Sequence, residues 1–323
     1  YYNRPMLNLS NLLVDNSDFD HVFFANSGAE ANEGAIKLAR KWGGINRAGA
    51  YQIITFDNSF HGRTLTTMSA SGKSGWDELF KPKMTGFVKV AYNNINAVKA
   101  AIDEHTVAIM LEPIQGEAGV IVADRQFLQD LRKLTIDHNL LLIFDEIQTG
   151  MGRTGSLFNY QHTGITPDIM TLGKGIGGGV PLGALLATLQ CSCFEYGEQG
   201  GTFNGNALCC SAGVVIMQTL IEEGFLEQVQ QTGTYLEQGL KQLSRIYQLG
   251  EVRGSGLLWA LDTGEIPAKN ITNEALNQGL LINPVNDCTL RFMPALNVST
   301  QEIDAMLEIL DSTLRKLSCL PIQ

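Results

Sequence analysis

The stretch DIMTLGKGIGGGVPLGALLAT, Asp168 to Thr188, sets two apolar runs on either side of one lysine and six glycines. DIMTL (168–172) and ALLAT (184–188) are continuous rather than alternating, the pattern of strands buried on both faces. Lys174 lies between Gly173 and Gly175, where the backbone carries no side chains. A lysine on a surface loop needs no such company; one that a bulky ligand must approach closely does.

Other stretches share this reading. YQIITF (51–56), VAIML (107–111) and LLLIF (140–144) are further continuous apolar runs. Between runs lie amphipathic segments, NINAVKAAIDEH (94–105) and RQFLQDLRKLTIDH (125–138). Earlier, SGAEANEGAIKLARKWGG carries Ala35, Leu38, Ala39 and Trp42 at helical spacing. Strands alternating with helices predict an α/β fold with a mostly parallel sheet flanked by helices. Past residue 206 the character changes. A long helical region runs to Tyr247, strands are expected near 257–262, at LLIN (280–283) and at TLRF (289–292), and a closing helix starts at Thr300. The expected organisation is a large domain over 1–210, a connecting helical region over 211–245 and a smaller C-terminal α/β domain over 246–323.

A length of 323 residues suits roughly two domains. With 44% hydrophobic and 17% charged residues the chain can bury a sizeable core. The formal net charge of -10 argues against nucleic acid or an anionic membrane as partner, since phosphate neutralisation needs an excess of Lys and Arg. No run of 18 apolar residues is present, and no secretory leader pattern, so a cytoplasmic protein is expected. The six cysteines, Cys191, Cys193, Cys209, Cys210, Cys288 and Cys319, include no C-x-x-C pair and no histidine at ligand spacing. They are expected to be reduced and packed as small hydrophobes, with no metal site. Tyr1 opens in mid-pattern, which suggests further chain upstream.

Ligands of open parallel sheets bind where strands end. After 51–56 come Asp57, Asn58, Ser59, Phe60, His61, Gly62 and Arg63; after 107–111, Glu112 and then Glu117; after 140–144, Asp145, Glu146, Ile147 and Gln148; after 168–172, Gly173 and Lys174. Gly173, Gly175 and Gly178 satisfy G-x-G-x-x-G, the dinucleotide fingerprint, but that motif needs a helix next and Val180-Pro181-Leu182-Gly183 breaks one. An NAD-dependent oxidoreductase therefore remains only as an out-of-class alternative. Ser27-Gly28-Ala29 makes a better phosphate site: Ser27 with Glu30 fits a capping box, and a helix start with glycine in its first turn offers free N–H groups. A monophosphate cradle, a strand-end aspartate and a glycine-flanked lysine together meet the needs of pyridoxal phosphate. The lysine forms the Schiff base, and the aspartate keeps the pyridine nitrogen protonated so that the ring accepts electrons.

The motifs NSGAEANEGAIKLAR, SFHGRT, LEPIQGEAGV, FDEIQTGMGRTG, GKGIGGGVPLGA and LRFMPALNVS, in this order, resemble the class III, fold-type I, pyridoxal-phosphate aminotransferases over essentially the whole chain. The resemblance implies that Lys174 is the Schiff-base lysine, Asp145 the partner of the pyridinium nitrogen and Gln148 that of the ring hydroxyl. It makes Phe60 the stacking aromatic, with His61 beside it, and Ser27, Gly28 and Ala29 the phosphate cradle. Thr202 would reach the phosphate of a neighbouring subunit's cofactor, which implies a homodimer with active sites at its interface. Arg63, Glu112, Glu117, Gly201 and Arg291 fall to the substrate. Arg63 takes a carboxylate, and Glu117 pairs with Arg291 except when glutamate presents its α-carboxylate. The implied reaction moves the terminal amino group of N2-acetylornithine to 2-oxoglutarate, giving N-acetylglutamate 5-semialdehyde and glutamate in arginine biosynthesis. Succinylornithine, ornithine, N-succinyl-diaminopimelate and 4-aminobutyrate are alternative donors. Two departures stand out: Ala207 where relatives often have proline, and Gly201 where several carry Ser or Thr. Family members also carry several dozen residues before the position of Tyr1, so a truncated, non-catalytic cofactor-binding dimer is a further alternative.

Overall fold

The computed structural model describes residues 2–318, and the chain divides into two compact units. Unit one comprises residues 1–113, 123–151 and 156–222; unit two comprises 114–122, 152–155 and 223–323. The second unit thus starts earlier than the expected 246 and takes in two short segments from the middle of the chain. Cys319 lies outside the described residues.

Unit one is built on seven strands: β1 His21–Ala25, β2 Gln52–Phe56, β3 Phe87–Val90, β4 Thr106–Leu111, β5 Leu141–Asp145, β6 Ile169–Leu172 and β7 Gly183–Ala187. Their order is β1-β7-β6-β5-β4-β2-β3. The pairs from β6 through β3 are parallel, whereas β7 runs antiparallel to both β1 and β6. The apolar runs read from sequence supply β2, β4, β5, β6 and β7. Strands β4 and β5 are buried at every position, which is why their sequences do not alternate. The helix Gly28–Asn46 turns Ala31, Ala35, Leu38, Ala39 and Trp42 inward, and its apolar stripe joins Ile53, Val107, Met110, Ile143 and Leu185 in one core. Arg132 on the helix Arg125–Asp137 pairs with both oxygens of Asp168 at 2.8 and 3.0 Å, and Asp168 Oδ2 also accepts the Leu142 N–H, so the entry to β6 is fixed onto β5. The helix Arg4–Asp15, which the sequence reading had passed over, is capped by Asn3 with proline in its first turn, and packs on Ala207–Leu220.

The helical region expected after 206 and up to Tyr247 consists of two helices, Ala207–Leu220 and Phe225–Tyr247. Gly224, at φ +86°, takes the left-handed conformation that ends the continuity. Unit two contains β8 Val252–Ser255, β9 Leu258–Asp262, β10 Asn283–Asn286 and β11 Thr289–Phe292, ordered β8-β9-β11-β10 and antiparallel throughout. LLIN is not a strand. Leu280 and Ile282 pack against the core while Leu281 is exposed, and the ladder begins only at Asn283. A short hairpin, Ile114–Gln115 with Ile121–Val122, belongs to this unit because Ile114 and Val120 bury against Leu258 and Ala260. Among the described cysteines, Cys191, Cys209 and Cys210 are buried as expected, but Cys288 is exposed in the turn before β11, where its N–H bonds Asn286 Oδ1. Among the described residues no single helix is long and apolar enough to cross a membrane.

Candidate active site

Residues at the ends of five of these strands line one cleft of about 310 Å³ in unit one. Its lining includes Gly28, Ala29, Phe60, Arg63, Gln148 and Lys174, together with His61, Glu112 and Asp145. The residues lie at or just past the carboxyl ends of five strands: β1 before Gly28 and Ala29, β2 before Phe60 to Arg63, β4 before Glu112, β5 ending at Asp145 and followed by Gln148, and β6 before Lys174. Glu112 is buried and uses Oε2 to accept the Phe60 N–H at 2.9 Å, so it fixes the backbone that carries the aromatic ring.

Asp145 is 3% exposed. Its Oδ2 receives Asn32 Nδ2 and His61 Nδ1, each at 2.8 Å, and its Oδ1 receives the Ile147 N–H at 3.1 Å. These donors satisfy the oxygens of a carboxyl group that is out of reach of solvent. Next to it, Glu146 is 1% exposed and accepts the N–H groups of Asn159 at 2.5 Å and Tyr160 at 2.7 Å. Burial outweighs these bonds and pushes its carboxyl up to about 7.

Ser27 caps the helix Gly28–Asn46 by accepting the Glu30 N–H at 3.2 Å. The expected reciprocal half of the box is absent: Glu30 reaches one residue further back, to the Asn26 N–H at 2.8 Å. The first-turn N–H groups of Gly28 and Ala29 have no acceptor within the helix. Close backbone passage explains the glycines here. A Cβ on Gly183 would lie 2.5 Å from Ser27 O, and one on Gly173 3.1 Å from Gly28 Cα. Lys174 is exposed and sits in a short 3₁₀ turn at φ +45°, a conformation uncommon for a residue with a side chain. After this turn the chain enters β7, with no helix before Ala207, so the dinucleotide fingerprint lacks the helix it requires.

Arg63 is exposed, with its guanidinium 5.9 Å from the Phe60 ring centroid and 5.7 Å from that of Trp76. Gly201 and Thr202 do not line the cleft; both are exposed in the loop before Ala207. Within unit two, Arg291 Nη1 meets Glu117 Oε1 at 2.7 Å and the Gly116 carbonyl at 2.9 Å, while Nη2 meets Asn283 Oδ1 at 2.9 Å. The sequence reading missed Asn32, Thr171, Ser71 and Trp76. For Asn32 a signal was present: it lies on the helix face of Ala31, Ala35 and Ala39, where an amide among apolar positions needs polar partners.

The donor set suits pyridoxal phosphate: a primary amine, a buried carboxylate, an amide, an aromatic ring and a helix start converge on a cleft of ring size. Residues 1–314 match the family model described as aminotransferase class-III. Acetylornithine aminotransferase 2 of Bordetella pertussis is 55% identical over 317 residues, 97% of this chain and 80% of that protein. Among solved structures, N-acetylornithine aminotransferase of Stenotrophomonas maltophilia superposes with a TM-score of 0.83 at 34% identity, covering 98% of this chain and 80% of that one. The ornithine aminotransferase of Toxoplasma gondii, crystallized with oxidized glutathione and showing partial occupancy of PLP at its active site, reaches 0.92 at 30% identity, with 98% and 78% covered. With these matches added to the cleft, the chain belongs to the class-III aminotransferase family.

Proposed function

We propose that this aminotransferase uses pyridoxal phosphate to move the terminal amino group of N2-acetylornithine to 2-oxoglutarate, as a cytoplasmic homodimer serving arginine biosynthesis. The observation that carries the reading is the single cleft lined by Lys174, Asp145, Gln148, Phe60 and the helix start at Gly28 and Ala29. When bound, the cofactor supplies an electron sink. The chain does the rest. The Gly28 and Ala29 N–H groups and the helix dipole hold the phosphate, with Ser27 beside them. Asp145 accepts the ring N–H, Gln148 bonds the ring hydroxyl and Phe60 covers one face. The Lys174 amine carries the proton to and from the reacting carbon of the substrate. Arg63, held over two rings at the rim, takes a substrate carboxylate.

One problem of this reaction is that glutamate presents a carboxylate beside the reacting carbon while acetylornithine presents none. Arg291 takes that carboxylate, and Glu117 neutralises Arg291 otherwise. The ion pair with its two further acceptors supports this assignment. For the dimer, Thr202 is followed by exposed Phe203 and Leu208, and Val215 is exposed on the next helix; a second copy would cover them. Names of relatives at 44–55% identity support acetylornithine as donor. A donor panel with 2-oxoglutarate tests the substrate, with acetylornithine expected to give the largest kcat/KM. Lys174→Ala should retain the cofactor by its phosphate and ring contacts but not turn over. Borohydride reduction that fixes the cofactor to a different lysine would overturn the assignment.

A further inference from the structure

The Asn32 side chain is fully buried and bonds three groups from three parts of the chain. Its Nδ2 donates to Asp145 Oδ2 at 2.8 Å and to the His61 carbonyl at 2.7 Å; its Oδ1 accepts from Thr171 Oγ1 at 2.7 Å. The orientation of the amide follows from chemistry. A carboxylate and a carbonyl can only accept, so the nitrogen must face both, and the oxygen must face the hydroxyl. The same logic sets the His61 tautomer. Asp145 Oδ2 accepts, so His61 Nδ1, 2.8 Å away, carries the proton. His61 Nε2 is buried with no hydrogen-bond partner among the described residues. A buried polar atom without a partner is costly, so the ring must be held in place by its other contacts. What holds it is a closed circuit. Asn32 binds the backbone of His61 and the carboxylate oxygen that the His61 ring binds, while the His61 N–H donates to Ser71 Oγ at 2.8 Å.

This divides the labour of the two carboxylate oxygens. Among the described residues Oδ2 has two donors at 2.8 Å, whereas Oδ1 has only the longer bond from the Ile147 N–H at 3.1 Å. We propose that Asn32, oriented by Thr171, is a positioning residue of the transamination: it clamps Asp145 Oδ2 to His61 and leaves Oδ1 as the oxygen presented to the ring nitrogen. The proposal rests on the functional reading above. It assigns a role to a residue that does not itself touch the cofactor.

The test uses Asn32→Ala and the near-isosteric Thr171→Val. Ring nitrogen chemical shifts of His61 are recorded in the cofactor-free protein, with the signal assigned by comparison with His61→Gln. The wild type should show Nδ1–H, and both variants should lose that fixed tautomer. In the loaded enzyme Asn32→Ala should lower kcat by about 10- to 100-fold, the worth of one hydrogen bond to a charged group, and Thr171→Val by less, with KM for both substrates little changed. If Asn32→Ala does not fold, Thr171→Val decides. A His61 tautomer unmoved in the folded variants overturns the clamp. A moved tautomer with unchanged kcat overturns its role in the reaction. A wild type that neither binds pyridoxal phosphate nor transaminates instead overturns the functional reading, and shows this before any variant is made.

Discussion

Glu146 offers a stability prediction that can be worked from the site. Its carboxylate is buried to 1% exposure beside Asp145, and burial raises it from 4.5 to about 7 against the bonds from Asn159, Tyr160 and Thr149. The folded protein therefore holds this proton more tightly than the unfolded chain does. The stabilisation it brings is full below about pH 4.5, falls as pH rises, and is gone above about pH 7. A shift from 4.5 to about 7, at ~1.4 kcal/mol per unit, is worth roughly 3 kcal/mol across that window. Glu146→Gln removes the titration. It also turns an amide NH₂ toward one of the two backbone N–H groups, a pH-independent loss of about 1–3 kcal/mol. The wild type should thus exceed the variant most at pH 4.5, and the gap should shrink by roughly 3 kcal/mol by pH 7.5. Urea unfolding at half-unit pH steps measures it. Trp42 and Trp76 serve as probes of unit one in a Trp259→Phe background, because two units need not unfold as one. Parallel stability curves from pH 4.5 to 7.5 would refute the raised carboxyl. A gap that widens with pH would mean that the backbone donors outweigh burial.

Three further expectations follow from the site and the second unit. If Asp145 holds the ring nitrogen as proposed, Asp145→Asn, which leaves the shape but removes the carboxylate, should lower kcat about 100-fold or more, with a smaller loss of cofactor affinity by absorbance titration. Glu117→Gln weakens the hold on Arg291; with Glu117 29% exposed the effect is discounted to ~1 kcal/mol, so the glutamate half-reaction should gain about fivefold over the acetylornithine half in single-turnover experiments, and equal shifts would sink the assignment. Gly183→Ala forces a Cβ to within 2.5 Å of Ser27 O and should displace the helix start, cutting cofactor affinity tenfold or more, whereas Gly44→Ala, with open space around it, should stabilise by about 0.5–1 kcal/mol in thermal unfolding.

The sheet of unit one and most of its cleft were legible because both are local signals. A strand buried on both faces is an unbroken apolar run, as 107–111 and 140–144 are, and the first polar residue after it points to the rim. Glu112, Asp145 and Lys174 were found in this way. What escaped depends on partners distant in sequence. Nothing in PIQGEAGV says that Ile114 and Val120 bury against Leu258 and Ala260, and so the membership of that hairpin in unit two was invisible. Glu30 has the right spacing for Ser27, yet the backbone entering the helix brings Asn26 closer. LLIN is apolar enough for a strand, but Leu280 and Ile282 already fill the core without a ladder.

The reversed strand β7 also bears on how the molecule is made. Strand β1 has a single neighbour, and that neighbour is β7: His21 pairs with Ala187 and Ala25 with Gly183. As the chain leaves the ribosome, β1 and the helix start behind it must wait until the rest of the sheet has been synthesised before finding their place. Pairing across so long a separation closes a large loop and is slow. The end of the cleft formed by Gly28 and Ala29 is therefore among the last parts to acquire its shape. Until then β1, with Phe23 and Phe24, is an unpaired apolar strand open to wrong partners.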